Sequence, residues 1–403
     1  NKVMLKLEQF KDAKKRLDGV IKETKLIYSP TFSEECGNEV YIKPENLQIT
    51  GAFKIRGAYN RIALLDEEAK SRGLIASSAG NHAQGVAYAA QKLGVKATIV
   101  MPKSTPLIKV EATKQYGAEV VLAGEIYDEA YAEAKRLQEI NKYEFIHPFN
   151  DDDVIVGQGT IALEILEELP DADILMVAIG GGGLAAGVAQ CAKQINPNIK
   201  IIGVEPEGAQ CMKEALKFGK PVELSKVSTI ADGTAVKLAG QRTFGLLNGV
   251  IDEIVTVSDY ELMDAFLVLV EKHKLIAETS GILTLAGLQK IKEKGKKVVS
   301  IVSGGNIDVL TISSMITKGL VSRGRIFSFS VDLTDKPGEL VKVSEILSTQ
   351  NANVIKLNHN QFKNLDRFTH VQLEVTVETN GEKHINAITE ALREQGYEIQ
   401  RLY

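Results

Sequence analysis

Four short segments of the chain carry residue types that could do chemistry. The first is Gly51-Ala52-Phe53-Lys54-Ile55-Arg56-Gly57-Ala58. A lysine that is to form an imine must first lose its proton, and at the ordinary pKa of about 10.4 only about one amine in a few thousand is neutral at pH 7. Burial is the usual remedy. Phe53 and Ile55 flank Lys54 and a helical pattern follows, so a desolvated amine is chemically reasonable, although a lysine at a helix start is by itself more often solvated. The second segment runs from Ser77 to Gly85, where the apolar run LIAS turns into a helix. Small residues there let a ligand approach the backbone, and free amides at the helix start favour a carboxylate. Asn81 reads equally well as a helix cap. His82 has no orienting partner visible in the sequence and receives no acid–base role.

The third segment is Gly180-Gly181-Gly182-Gly183-Leu184, between the apolar run DILMVAI and another helical stretch. Each glycine costs up to about 1 kcal/mol relative to alanine in regular structure, so four in a row imply that something must come close. A phosphate at the helix N-terminus is the natural occupant. No Lys-Ser or Lys-Thr follows, which excludes a Walker P-loop. Gly180, Gly182 and Ala185 do match the G-x-G-x-x-A of dinucleotide-binding folds, with Glu205 where a ribose-binding acid would stand, so a nicotinamide-dependent oxidoreductase is the alternative. The fourth segment, Ser303-Gly304-Gly305-Asn306, ends the run KVVSIV, where a hydroxyl could meet a ring nitrogen that needs no charge compensation. Standing alone it is an ordinary strand-to-helix turn.

The elements that must position these segments are legible as well. LIAS, KATIV, AEVVL, DILMVAI, KIIGV, EIVTV and KVVSIV are continuous apolar runs separated by longer stretches of helical period. Runs of this kind suit strands buried on both faces of mainly parallel sheets. They fall into two groups, about 74–145 and 174–302, which predicts two lobes with a ligand cleft at the strand ends. The polar stretch Lys318–Gly324 is expected to be a linker. Beyond it, FSFSVDL, a helix beginning near Pro337, the strands NVIKLNHNQF and DRFTHVQLEVTVE, the helix HINAITEALREQG and the strand YEIQRLY give β-α-β-β-α-β, the ferredoxin-like order.

Composition narrows the function classes. A net charge of −4 over 403 residues, with both signs interspersed, gives no footprint for nucleic acid. Three widely spaced cysteines, Cys36, Cys191 and Cys211, form neither a disulfide framework nor a zinc motif. No apolar run is long enough to span a membrane. A reducing, cytoplasmic setting is the expectation.

Taken together and in order, KPENLQITGAFKIRGAYN, SSAGNHAQGVA, HPFND, GQGTIALEI, GGGGL, GVEPE, TIADGTAV and SGGN resemble the threonine/serine dehydratases among the fold-type II pyridoxal 5'-phosphate enzymes. The resemblance implies a two-lobed, tryptophan-synthase-β-like catalytic domain over residues 1–318, with a small lobe of about 50–148 inserted in the large one. It implies a Schiff base on Lys54, with Phe53 against the cofactor ring. Gly180, Gly181, Gly182, Gly183 and Leu184 would hold the phosphate, Asn81 the ring hydroxyl and Ser303 the ring nitrogen. The substrate carboxylate would lie at the turn Ser78, Ala79, Gly80, Asn81, His82. The implied reaction is dehydration and deamination of L-threonine, and of L-serine, to a 2-oxoacid and ammonia. The tail resembles an ACT domain over 325–403, after a linker at 319–324, through Val331-Asp332-Leu333, Asp335-Lys336-Pro337-Gly338-Glu339-Leu340 and Asn351-Ala352-Asn353-Val354. That implies an isoleucine or valine effector and a homodimer or homotetramer; a purely structural pairing module, or a non-catalytic amino-acid sensor, are the alternatives.

The departures from the pattern carry expectations of their own. Serine racemases of this family have a serine where Ala79 stands, so racemisation is not expected. Glu205 and the Ala209 carbonyl match a divalent-cation site whose second acid is replaced by Cys211, so no metal is expected. Ala52 replaces a serine common before the Phe-Lys pair. Glu278-Thr279-Ser280-Gly281-Ile282 is bulkier than the small-residue turn of many members, which bears on substrate preference.

Overall fold

The computed structural model describes residues 4–360 and 369–403. Contacts divide them into two compact units, one running to Ala265 and resuming over Leu269–Ile307, the other Asp308–Tyr403 with Phe266–Val268. The first unit contains two sheets. In the six-stranded sheet the order is β1 (Ile27–Ser29), β2 (Glu39–Pro44), β10 (Lys297–Val302), β7 (Ile174–Ala178), β8 (Lys200–Pro206) and β9 (Glu253–Val257). Only the β1–β2 pair is antiparallel. The second sheet, β5 (Glu119–Leu122), β4 (Ala97–Met101), β3 (Leu74–Ser77) and β6 (Glu144–Phe145), is wholly parallel. Each apolar run singled out in the sequence is a strand, and the two groups occupy different sheets. β1 and β2 have no such run, because β2 reads Glu-Val-Tyr-Ile-Lys-Pro, yet they extend the large sheet.

Helices cover both sheets and approach one another at glycines. A Cβ on Gly157 of helix Asp152–Glu168 would lie 2.4 Å from the Arg56 carbonyl oxygen of helix Lys54–Ala63. A Cβ on Gly187 of helix Gly183–Ile195 would lie 2.3 Å from the Ile155 carbonyl oxygen. Backbone therefore packs on backbone, and the lysine-bearing and glycine-headed helices are fixed against the same long helix between them. Around that helix lies a core of Phe10, Ile155, Ile161, Ile165, Val188 and Ile201, and a separate core of Ile55, Ile62, Leu74, Val86 and Ile99 fills the smaller lobe.

Where the lysine helix meets the large sheet, four charges are sealed from water. Arg56 donates from Nε to Glu45 Oε1 at 2.6 Å and from Nη2 to Glu164 Oε1 at 3.0 Å, and its Nη1 reaches the other Glu164 oxygen. Lys43 Nζ lies 2.8 Å from Glu164, and Thr24 Oγ1 donates to Glu45 at 2.6 Å. Burial works to lower the Arg56 pKa, but Glu45 and Glu164 outweigh it and hold the guanidinium above its ordinary range. Burial likewise works to raise Glu164, and Arg56 and Lys43 more than offset it.

The second unit has the order strand, helix, strand, strand, helix, strand: β11 (Ile326–Thr334), helix Glu339–Thr349, β12 (Asn353–Asn360), β13 (His370–Glu378), helix Glu382–Glu394 and β14 (Ile399–Arg401). The sheet order β12-β13-β11-β14 is antiparallel throughout, the ferredoxin-like arrangement expected of the tail. Gln361 and Phe362, and Asp366 to Phe368, assigned to strands from the sequence, lie outside the described residues. The expected linker is corrected. Residues 318–322 complete helix Val309–Ser322, which Asp308 caps by accepting from Thr311 N at 2.9 Å, and the division between units falls at Ile307/Asp308. Gly319 and Met315 are buried, so the small residue serves packing, and the chain turns only at Gly324, with φ +65°.

Removing one partner from a buried, hydrogen-bonded ion cluster leaves the others uncompensated, which costs about 3–5 kcal/mol. Arg56→Ala is therefore expected to lower the unfolding free energy by about that amount, measured by urea denaturation; a loss below about 1 kcal/mol would mean that water enters the cluster.

Candidate active site

Lys54 opens its helix after a strained turn. Thr50, a β-branched residue at φ +65°, and Gly51 at φ +80° bring the chain round so that Ala52 bridges to Gly304 and Phe53 N donates to Ser303 O at 3.1 Å. The Lys54 amine donates to the Pro148 carbonyl oxygen at 3.2 Å and sits 5.3 Å from the centre of the Phe53 ring. Burial lowers its pKa to about 8, with Glu278 pulling the other way. At that value about one amine in ten is neutral at pH 7, a gain of more than a hundredfold over an exposed lysine.

The neighbour of Pro148 carries the connection onward. A Cβ on Gly181 would fall 2.2 Å from the Phe149 ring, and one on Gly183 would be 3.0 Å from Phe149 Cβ. Gly182, at φ +99°, has Met212 and Thr243 as close on its other side. The glycine run is therefore required by packing within the chain as well as by any ligand, a demand that the sequence did not display. Gly180 packs on Thr234, whose hydroxyl lies 3.1 Å from Ser280 Oγ, and the Glu278 amide donates to Gly304 O at 3.0 Å. Contacts thus run in a closed ring from Lys54 through Pro148, Phe149, the glycine run, Thr234, Ser280 and Glu278 back to Ser303 and Phe53. Leu184 and Ser303 are both buried.

Across this ring stands the β3-to-helix turn. Ser78 Oγ accepts from the amides of Gly80 and Ala83, both at 3.2 Å, while the first-turn amides of Asn81 and His82 have no acceptor within the helix. A Cβ on Gly80 would meet nothing within 4 Å, so open space lies beside this turn. Ala79 is half-buried. Asn81 Nδ2 donates to Glu278 Oε1 at 2.7 Å, and its Oδ1 accepts from Asn306 at 2.8 Å, so the helix-cap reading of Asn81 is corrected: the N-cap is Gly80, and the Asn81 side chain is spent on these two partners. The His82 ring donates from Nε2 to Ile146 O at 2.8 Å. Burial takes its pKa down to about 3 and that of His147 to about 4, with the Lys54 charge adding to both.

Sequence reasoning passed over Pro148, Phe149 and Thr234, although HPFND and TIADGTAV contain them. Glu278 was noted only for its bulk. Its carboxyl is pushed up to about 7 by burial, partly countered by the hydrogen bond from Asn81. Glu205 belongs elsewhere: it accepts from Met212 N at 3.0 Å and Lys213 N at 2.8 Å, capping helix Cys211–Phe218. A carboxylate so engaged is not presented to a ribose, which removes the feature that had supported a nicotinamide site. Cys211 beside it is buried, its thiol pushed up to about 12 by burial, and directed to Gly180 O at 3.5 Å. Among the described residues no group of three or more His, Cys, Asp or Glu is placed to hold a metal, and no helix is long and apolar enough to cross a membrane.

A buried, partly deprotonated amine, an amide-lined helix end and a neutral hydroxyl at a strand end are groups that suit a phosphorylated aldehyde. The residues fit pyridoxal phosphate, and residues 17–304 match the family model described as pyridoxal-phosphate dependent enzyme, so the chain belongs to that family and uses that cofactor. Within it, the chain is 46% identical over 398 residues to an L-threonine ammonia-lyase of Thermotoga maritima, covering 98% of this chain and 99% of the relative. Among solved structures, the processed form of threonine deaminase isoform 2 from Solanum lycopersicum superposes with a TM-score of 0.74 at 42% identity, covering 77% of this chain and 93% of that one. Maize serine racemase gives 0.74 at 36%, covering 79% and 98%.

With pKa values of about 3 and about 4, His82 and His147 stay neutral in the folded protein well below the value near 6.5 at which they charge when unfolded. The unfolded chain then binds more protons, so stability falls as pH drops below about 6.5 and is unaffected by these groups above it. Imidazole nitrogen shifts in NMR are expected to stay constant from pH 8 to 5; movement of the His82 ring near pH 6.5 would show it open to water.

Proposed function

We propose that this chain removes water and then ammonia from L-threonine, and from L-serine, giving a 2-oxoacid. The observation that carries the reading is the Lys54 amine, brought near neutrality by burial inside a ring of contacts that includes the glycine run. Bound pyridoxal phosphate supplies an aldehyde that condenses with amines and a ring that takes up the electron pair left at Cα. Lys54 Nζ would anchor it beside Phe53, the amides of Gly180, Gly181, Gly182, Gly183 and Leu184 would take the phosphate, and Asn81 would meet the ring hydroxyl and Ser303 the ring nitrogen. The turn from Ser78 through Ala79, Gly80 and Asn81 to His82 receives the substrate carboxylate on its free amides.

With substrate bound, the free Lys54 amine would lie beside Cα and would accept the α-proton at Nζ. His82 and His147, with pKa values of about 3 and about 4 and ring nitrogens engaged within the protein, are weak bases, which favours Lys54 over them. The β-hydroxyl would leave with one proton as water, and the enamine so released, in its imine form, would take up one water to give 2-oxobutanoate and ammonia. Ser303, a neutral hydroxyl, would not hold a proton on the ring nitrogen, which would favour elimination over racemisation. Ala79, lacking a hydroxyl, supplies no proton to the opposite face.

The C-terminal unit serves regulation, in a cytoplasmic homodimer or homotetramer with isoleucine or valine as effector. Its helix Glu339–Thr349 begins at Gly338, φ +94°, just after Pro337, and the acid of its first turn is engaged by Tyr397 at 3.2 Å and Lys342 at 3.4 Å. That engagement offsets the charge that would repel a ligand carboxylate from the helix end.

Three experiments test this. Purified protein is expected to release 2-oxobutanoate from L-threonine and to show the long-wavelength absorbance of an imine-bound cofactor, and Lys54→Ala to lose both; turnover by Lys54→Ala would reject the assignment. The rate of cofactor capture by cofactor-free protein is expected to rise with pH and level off above about 8, as the amine loses its proton. Isoleucine or valine is expected to change the rate, and indifference to both would reject the effector reading.

A further inference from the structure

Glu278 has no part in the reading above, yet it occupies a commanding place in the pocket. An asparagine carboxamide is nearly symmetric in shape, and its two ends exchange by a simple flip unless neighbours distinguish the NH2 from the oxygen. Here both ends are distinguished. Glu278 Oε1 accepts from Asn81 Nδ2 at 2.7 Å, and Asn306 Nδ2 donates to Asn81 Oδ1 at 2.8 Å. Asn306 is itself fixed, since its Nδ2 also donates to the Thr50 carbonyl oxygen at 2.7 Å. A flipped Asn81 would set oxygen against carboxyl oxygen and NH2 against NH2.

The frame behind Glu278 is rigid. Its amide donates to Gly304 O, and a Cβ on Gly304 would lie 2.4 Å from Glu278 Oε1, so the carboxyl is seated against bare backbone. A Cβ on Gly51 would lie 2.3 Å from Asn306 Oδ1. Four segments therefore meet in one hydrogen-bond chain: the strained turn before Lys54, the start of helix Asn81–Leu93, the 278–282 turn and the end of the Ser303 loop. Among the described residues the second Nδ2 hydrogen of Asn81 has no partner.

We propose that Glu278 is a positioning residue for cofactor capture: with Asn306 it locks the Asn81 carboxamide in one orientation, so that one N–H remains presented to an oxygen of the cofactor. This rests on the reading that the pocket takes pyridoxal phosphate at Lys54. The lock works in either protonation state. A neutral carboxyl keeps one unprotonated oxygen, the better acceptor, so with its hydrogen on Oε2 the Oε1 bond from Asn81 is retained. The charged groups that face it, Lys54, Lys109 and Asp232, act on that proton without touching the Asn81 bond.

The test compares two ligands on cofactor-free protein by equilibrium dialysis: pyridoxal 5'-phosphate and its 3-deoxy analogue, which lacks the ring hydroxyl. Wild-type protein is expected to prefer the former. One neutral hydrogen bond corresponds to about a 3–10-fold preference, and Glu278→Ala is expected to abolish it while Glu278→Gln, which keeps an accepting oxygen, retains it. Asn306→Ala, which frees the other end, is expected to behave like Glu278→Ala and serves if that variant fails to fold. Undiminished preference in Glu278→Ala, equal weakening of both ligands, or no rescue by glutamine would each overturn the proposal. Failure of the pocket reading looks different: wild-type protein would then form no imine, and Lys54→Ala would bind both ligands as wild type does.

Discussion

Four charges without access to water hold the reactive helix in place. Arg56 sits between Glu45 and Glu164, with Lys43 on the far carboxylate, and the group is neutral as a whole. Such a cluster adds little to stability over a well-packed apolar one, because desolvation offsets most of its attraction. What it does is forbid alternatives, since any other rotation of the helix strands a charge in the interior. Arg56 lies two residues beyond Lys54, about 200° around a helix. Fixing the guanidinium on one side therefore turns the amine to the other, where the Pro148 carbonyl receives it.

The same logic of mutual constraint runs through the pocket. Pro148 touches the amine and Phe149 the glycine run, so two consecutive residues set the spacing between Lys54 and the glycines. The glycines are needed because Phe149, Met212 and Thr243 already press on their Cα positions. A side chain there would displace protein before it displaced a ligand. Burial does the remaining work, lowering Lys54 and raising Glu278 until both titrate near neutrality, and pressing the two histidines out of acid–base chemistry altogether.

Much of this was legible in the chain. All seven Val/Ile-rich runs were recognisable as strands, and their two clusters foretold two sheets, but the burial on both faces that such runs imply fails at the edges, where β5 has no buried residue and β9 is only partly covered. The tail's alternation at Phe327–Leu333 and its two helical patterns foretold the antiparallel sheet. β1 and β2 were invisible because an edge pair with mixed polarity has no such run. The supposed linker failed for a related reason: Lys318, Gly319, Ser322 and Arg323 look like loop residues, but a glycine packed in a helix serves contact rather than a turn.

The sequence alone determined the chemistry that is available: a lysine with apolar neighbours, a glycine run at a strand end, a serine in place of a carboxylate, and the order in which they come. Those are properties of residue type and local spacing. Only the tertiary structure decided which groups share a proton environment and which hold one another still. Glu278 lies 197 positions from Asn81, and Asn306 lies 225 positions from it. A pKa or the orientation of an amide depends on the field and contacts at a point in space, and no spacing along the chain encodes them.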